Sequence, residues 1–248
     1  MLRRLTEHLR IQNWAAVILE LIVVVVGIFL AFQLERWYAE QRLRSNVQER
    51  LVALSAEFSK NSDELDRAVQ MNTEVVNATL ELLKMDEQSP SSDDYDYFYQ
   101  LLAIASRTNA RQYQYGAYNS LISTGELELF DNESLKLNLA GFYAGLDQLS
   151  VFSAGSRTVD INTFEPFVIR NLDNVEMLHY LHPNDIIQTK PTQDSDAFLK
   201  VLGTSQFEGV ISEKWHTAFA ERVRMQALQE QAIAIEDQLE GSLQDAEE

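Results

Sequence analysis

The 248-residue chain contains no cysteine. Disulfides, thiolate metal sites and cysteine nucleophiles are therefore excluded, whichever redox compartment the chain occupies. Histidine is sparse, with four in all, and only four prolines and nine glycines interrupt the chain. After Gly27 there is no glycine before Gly116 and no proline before Pro90, so helix can continue through most of that interval. Positive charge is also scarce: 20 Lys and Arg stand against 38 Asp and Glu, giving a net charge of −18. Among the serines, glycines and histidines there is no nucleophile-elbow, phosphate-loop or metalloprotease spacing. The residues point away from an enzyme, and no cofactor is expected.

One long apolar run stands out against this background. Residues 14–32 are all apolar or Gly except Glu20. At 1.5 Å rise they cover roughly 28 Å, close to the hydrocarbon thickness of a bilayer. Trp14 marks one boundary, and Trp37 with Tyr38 marks the other, where amphipathic rings settle at the headgroup level. A cleavable signal peptide has an apolar core of about 7–15 residues and a small-x-small site. This run is longer, and residues 30–33 offer no such site, so an uncleaved transmembrane helix over residues 14–38 is expected.

Within that helix Ala16, Glu20, Val23, Gly27 and Ala31 fall in one stripe at 100° per residue, and Gly27 with Ala31 forms a small-xxx-small pair. A carboxylate facing lipid costs roughly 2–3 kcal/mol, so Glu20 should face protein, water or a partner helix. The stripe therefore reads as a helix–helix association face. A snorkelling Glu20 and a proton-carrying Glu20 are the other readings.

Charge divides the chain. Residues 1–44 carry six Arg against four Glu, a balance of +2, leaving −20 on the remaining 204 residues. Such an acidic domain is repelled by nucleic acid, which is excluded as a partner. Arg3, Arg4 and Arg10 precede the span while Arg36, Arg42, Arg44 and Arg50 follow it, so basic residues alone do not fix orientation. A short basic N-terminus before a first apolar segment and a long acidic domain behaves as a signal anchor. The expectation is a single-pass protein of the bacterial inner membrane with its N-terminus inside and its C-terminal domain periplasmic.

Taken in order, residues 1–13 form a short amphipathic interfacial segment, and His8 lies in it. Residues 39–88 read as a long juxtamembrane helix continuing the span. Val47, Leu51, Leu54, Phe58, Leu65, Ala68, Val75 and Leu82 keep heptad-like spacing, with Asn61 and Asn72 in the seam. This stripe suits either an intersubunit coiled coil or the first helix of a bundle in the same chain. Asn61 followed by Glu64 also resembles a capping pair at a helix restart. Residues 89–240 read as an irregular helical bundle domain and residues 241–248 as an acidic tail, the end from Glu236 to Glu248 being frayed helix and solvated chain.

Inside that domain, residues 86–94 form a polar turn, after which Ser92 or Asp93 caps a helix reaching Arg107. Six of the nine tyrosines lie between Tyr95 and Tyr118; core filling with hydroxyls at the rim is the leading reading, and stacking on a ligand the other. Gly125 closes a short helix. Asp131 caps a longer one carrying Leu135, Leu139, Phe142, Tyr143, Leu146 and Leu149. Residues 127–130 and 185–189 could be short extended pieces. Pro166 reads as a break or a first-turn residue. The loop 183–196 precedes a last helical region running from about Asp196 through Leu202, then Ser212 to Leu239, with His216 packing beside Trp215.

Two blocks carry a family resemblance. The first holds Glu20, Gly27, Ala31 and Trp37; the second holds Ala117, Tyr118, Leu121, Gly125, Leu127, Leu135 and Tyr143. Over about a quarter of its length the chain resembles an uncharacterised family of bacterial single-span membrane proteins with a helical domain. The resemblance implies architecture and no assigned activity.

One weak metal candidate remains. Glu176, His179 and His182 recur every third residue, a spacing that could gather them on one helical face about a divalent ion such as zinc. The alternative is a helix C-terminus where imidazoles favour the dipole before the stop at Pro183.

The function expected is thus a non-enzymatic, membrane-anchored assembly or interaction module, with the lipid bilayer and another copy or another membrane protein as partners. A signalling or transport-accessory ligand sensor is the alternative, favoured by a ligand pocket near the tyrosines. A single-span ion-motor-like subunit using Glu20 is the third, although the chain has Glu in place of the usual Asp.

Overall fold

A computed structural model describes residues 14–85, 92–109, 111–130, 132–181 and 195–247. Among these residues the chain is all-helical, with no strand. The helices are α1 (Trp14–Lys84), α2 (Ser92–Ala105), α3 (Gly116–Thr124), α4 (Glu133–Val159), α5 (Glu165–Asn171), α6 (Asn174–Leu181), α7 (Ser195–Val201) and α8 (Ser205–Glu247). A 3₁₀ turn occupies Glu126–Leu129 and a π-helical turn Asp160–Phe164. Two compact units, Met1–Arg50 and Leu51–Glu248, divide the chain, with the boundary inside the bounds of α1.

In the first unit, Val17–Ala39 is long and apolar enough to cross a membrane, with mean hydropathy 2.8. Glu20, Val23, Gly27 and Ala31 are exposed, and a Cβ on Gly27 would meet nothing within 4 Å beyond its chain neighbours and the helix's own backbone. Trp37 and Tyr38 meet edge to face at 5.1 Å. The side chains of Trp14 and Ala16, and all of residues 1–13 including His8, lie outside the described residues.

In the second unit, the 3–4 spacing on α1 is explained by burial within the same chain. Leu51, Leu54, Phe58, Leu65, Ala68, Val75 and Leu82 are each at most 2% exposed. Burying a Leu or Phe side chain contributes about 1.5–3 kcal/mol, so this stripe is a major part of the core. Helix is continuous through Asn61, where a restart was a possible reading. The Asn61 amide is buried and turned to the backbone of Gln114, donating at 2.8 Å and accepting at 2.7 Å, and so is unavailable as a cap.

Helix α8 carries the matching stripe and runs antiparallel to both α1 and α4. Gln229 donates to Asp66 and Asn72 to the Met225 sulfur at 3.3 Å; Asn138 bonds Gln238 at 3.1 Å, and Ser153 bonds Glu221. Gly145 marks the tightest approach, since a Cβ there would meet Leu228 Cδ2 at 2.6 Å. At the Lys84 end of α1 and the Ser205 end of α8, a cluster forms from Leu82, Phe98, Tyr99, Phe167, Phe198 and Phe207.

Several local expectations are corrected. Residues 126–129 are 3₁₀ and not extended, closed by Phe130 N–H to Leu127 O. The cap of α4 is Asn132, whose extended backbone lets its side chain accept from Leu135 N at 3.0 Å; Asp131 lies outside the described residues. The last helix begins at Ser205, with the Thr204 hydroxyl accepting from Phe207 N, and continues to Glu247, so the acidic end is helical. His216 is exposed and does not pack; Trp215 instead stacks on Phe219 at 5.3 Å. Gly125, in the left-handed region with φ 73°, ends α3 as expected, and Pro166 stands in the first turn of α5, where its missing N–H is harmless. Residues 86–91 and 182–194, including 185–189, lie outside the described residues.

Candidate functional site

Phe207, Ile211, Lys214, Ala218, Glu221, Met225, Leu228, Ala232, Ile235 and Leu239 are the buried positions of α8, spaced alternately four and three apart. Two of these ten are charged. Lys214 and Glu221 are each 5% exposed, in a stripe whose other members are apolar. Unpaired charges in such a place cost several kcal/mol, so each must have a partner.

Lys214 finds Asp160. Its Nζ lies 2.6 Å from Asp160 Oδ2, both side chains being 5% exposed, and 5.6 Å from the Phe164 ring centroid. Asp160 opens the π-helical turn, an irregularity that recurs at functional sites because it redirects side chains from the regular helical ladder. Burial raises the Asp160 carboxyl above its ordinary value, against the opposing pull of Lys214 and Arg157. Glu221 accepts from Ser153 and from the amides of Asn72 and Asn109, and its own carboxyl is likewise raised by burial. Arg107 and Arg157 stand on the same wall, so with both acids ionised these five side chains carry a net charge of +1.

These groups surround a cavity of ≈ 20 Å³, room for one water-sized group. Three buried oxygens on its wall, Asp160 Oδ1, Asn109 Oδ1 and Ser156 Oγ, take no hydrogen bond. Two of the three can only accept. The cavity adjoins a surface groove of ≈ 500 Å³, the two sharing Asn109, Ser153 and Arg157 as walls. Arg111, Tyr113 and Tyr115 complete the side of the groove away from the cavity.

Three arginines therefore converge on one place in a strongly acidic domain. Arg107 pairs with Glu74 at 2.6 Å, Arg111 with Glu64 at 2.9 Å, and Arg157 with Glu165. The Arg111 hydrogen bond holds the Glu64 carboxyl below its ordinary value. Burial pushes the Tyr113 and Tyr115 hydroxyls up to about 12, so both remain neutral donors.

The groove wall is held by Glu57, a buried carboxylate on α1. Its Oε2 accepts from Ala117 N at 2.6 Å, and its Oε1 from Tyr118 N at 3.2 Å and from the Tyr143 hydroxyl at 2.7 Å. A carboxylate from one helix thus caps the first turn of α3. Tyr118 stacks on Tyr143 at 4.0 Å with the rings 6° apart, and Tyr115 lies 5.5 Å from the same ring. Ala117, Tyr118 and Tyr143, all in the second resemblance block, therefore meet at Glu57, which that block does not contain.

The other sequence candidates lie elsewhere. Glu176 on α6 is buried, its Oε2 without a partner, and burial raises its carboxyl. His179 is exposed, edge-on to Tyr180 at 5.7 Å, and His182 lies outside the described residues. No group of three or more potential metal ligands occurs among the described residues. Asp160, Lys214, Glu221 and Glu57 escaped the reading of the sequence. The signal for two of them was present, since Lys214 and Glu221 stand seven apart inside an apolar 3–4 repeat. Asp160 had no such mark.

No family model, curated protein or solved structure matches this chain.

Proposed function

We propose that this chain is a membrane-anchored helical module that binds a small polar ligand in the groove beside Tyr113 and Tyr115. One observation carries the reading: a groove of ≈ 500 Å³ adjoins a cavity whose wall holds three buried oxygens without a hydrogen bond, on Asp160, Asn109 and Ser156. Buried polar groups are ordinarily satisfied, and a cluster that is not marks a place where binding supplies the missing partners. Of the expected readings, the ligand sensor is thereby preferred to pure assembly. The heptad residues from Leu51 onward are buried by their own chain, which removes one of the two surfaces assembly required.

In this reading Val17–Ala39 is an uncleaved anchor in the bacterial inner membrane, with the acidic domain outside. Helix α1 carries ligand state from the bundle domain to the span. The module performs no chemistry of its own and contacts no nucleic acid. The test is ligand-dependent stabilisation of the full-length protein in nanodiscs, screened against sugars, nucleotides, dicarboxylates, amines and amino acids. A ligand at a hundred times its Kd adds about 2.7 kcal/mol to stability. Stabilisation that is lost on filling the groove with Ser153→Trp supports the reading, and a screen without any hit overturns it.

The anchor stripe gives a second reading, assembly between spans. Its support is the small-xxx-small pair Gly27 and Ala31, which is exposed on the same stripe as Glu20 and Val23.

A further inference from the structure

We infer that the ligand is an organic anion, its carboxylate or phosphate group held by Arg111 and Arg157 and its uncharged body lying along Tyr113 and Tyr115. The inference rests on the ligand-binding reading and names the class of ligand.

The sign of the groove sets it apart from its surroundings. The chain carries a net charge of −18, yet among the described residues Arg111 and Arg157 line the groove and no Asp or Glu does. The adjoining cavity adds Arg107 and Lys214 against Asp160 and Glu221, and burial holds both of those carboxyls above their ordinary values, toward the neutral form. Glu64, Glu74 and Glu165, which pair with the three arginines, line neither space. They steady the guanidinium groups from outside. Glu64 is also shared: Arg67 donates to its Oε1 and Arg111 to its Oε2, two arginines to one carboxylate, a balance of +1. A cation entering the groove meets arginine on its walls, and an anion meets opposite charge.

The arginines keep donors for such a group. Arg111 bonds Glu64 through Nη1 at 2.9 Å, and Arg157 bonds Glu165 through Nη1. A guanidinium spreads its N–H groups as a planar fork, so an edge not used by the carboxylate can take a second oxyanion, the partner that fork suits best. The side chains of Arg111 and Arg157 are 30% and 45% exposed, within reach of a ligand in the groove. Arg157 stands in the last turn of α4 and Arg111 in the connection between α2 and α3, so a bound anion joins two separate elements. An inorganic ion fills little of ≈ 500 Å³. Tyr113 and Tyr115, with neutral hydroxyls, and Ser150 and Ser153 supply ring surface and hydrogen bonds without charge, which suits an uncharged body.

The test uses the full chain in nanodiscs, with calorimetry against matched pairs that differ in charge: adenosine monophosphate and adenosine, glucose phosphate and glucose, benzoate and benzamide, and inorganic phosphate alone. At least one organic anion is expected to bind at least about tenfold more tightly than its neutral counterpart and than inorganic phosphate. Arg157→Gln, a change at an exposed position, should fold normally and weaken that anion about ten- to hundredfold, and Arg111→Gln should do the same where its circular dichroism matches wild type. Arg67→Gln removes an equal charge beside Glu64 but none from the groove, and should change affinity less than about threefold. A neutral counterpart or inorganic phosphate binding as tightly as the organic anion, indifference to Arg157→Gln, or equal weakening by Arg67→Gln overturns the assignment. A neutral or cationic ligand bound in the groove overturns it and leaves the ligand-binding reading standing, whereas no ligand at all removes both.

Discussion

Glu57 and Glu221 are both buried carboxylates, yet their surroundings give them opposite roles. Glu57 is fully engaged: two backbone N–H groups and the Tyr143 hydroxyl converge on it. Its replacement by Ala leaves the first turn of α3 without its cap and three donors unsatisfied. A loss of about 3 kcal/mol is expected by chemical denaturation, and a loss under about 1 kcal/mol contradicts the capping role. Glu221 instead has its carboxyl raised by burial from the ordinary 4.5. For a raised acid, the stabilisation belongs to the protonated form: it is fully present below the unfolded value and is lost as pH rises through the folded one. Glu221→Gln, which fixes a neutral group, should match wild type in stability below pH 4.5 and gain on it as pH climbs toward neutrality. A pH-independent difference between the two proteins refutes burial as the cause. Asp160 differs again, because its loss strands Lys214. Asp160→Asn should cost about 3–5 kcal/mol, and the double change with Lys214→Met should recover most of it.

At the scale of elements, the apolar stripes of α1 and α4 were legible because a 3.6-residue period declares a buried face whatever covers it. What covers it was not. The spacing on α1 fits a second subunit and a same-chain helix equally, and only the pairing of Asn72 with Met225 and Asp66 with Gln229 assigns it to α8. Asn61 misled for a physical reason: asparagine stabilises a cap and a helix-to-loop tie with the same amide. Here it ties residues 111–115, the groove's outer wall, to α1 through Gln114. Asn61→Ala should therefore cost about 1–3 kcal/mol. It should also speed hydrogen exchange around residues 113–118 more than elsewhere, and uniform acceleration contradicts this local tie. The candidate site was the least legible part. Lys214 and Glu221 could be found as charges within an apolar repeat, but Asp160 reaches Lys214 by way of a π-helical turn, and no residue pattern here announces that turn. Residues 127–130 looked extended because Leu alternates with Glu, and the 3₁₀ turn reflects the left-handed Gly125 that starts it.

At the scale of the whole molecule, the apolar helix and the acidic domain call for different solvents. Glu20 stands among exposed apolar residues; if the proposed anchor spans a bilayer, its carboxylate would be unfavourable in lipid by roughly 2–3 kcal/mol, and an adjoining span would relieve this. Gly27→Leu, by blocking close approach at the same stripe, should shift native mass spectra of the nanodisc complex from a defined oligomer toward monomer. A wild-type monomer refutes assembly through the anchor. Orientation decides which compartment the groove samples, and the absence of cysteine makes it directly measurable. A single Cys at Leu137, 73% exposed on α4, introduces the only thiol in the chain at a site that makes no core contact. In cells whose outer membrane has been permeabilised, a membrane-impermeant maleimide should label Leu137→Cys without lysis, because the −20 domain is expected outside the inner membrane. Labelling that requires lysis places the domain in the cytoplasm. The groove would then sample cytoplasmic small molecules, and α1 would carry its state in the opposite direction.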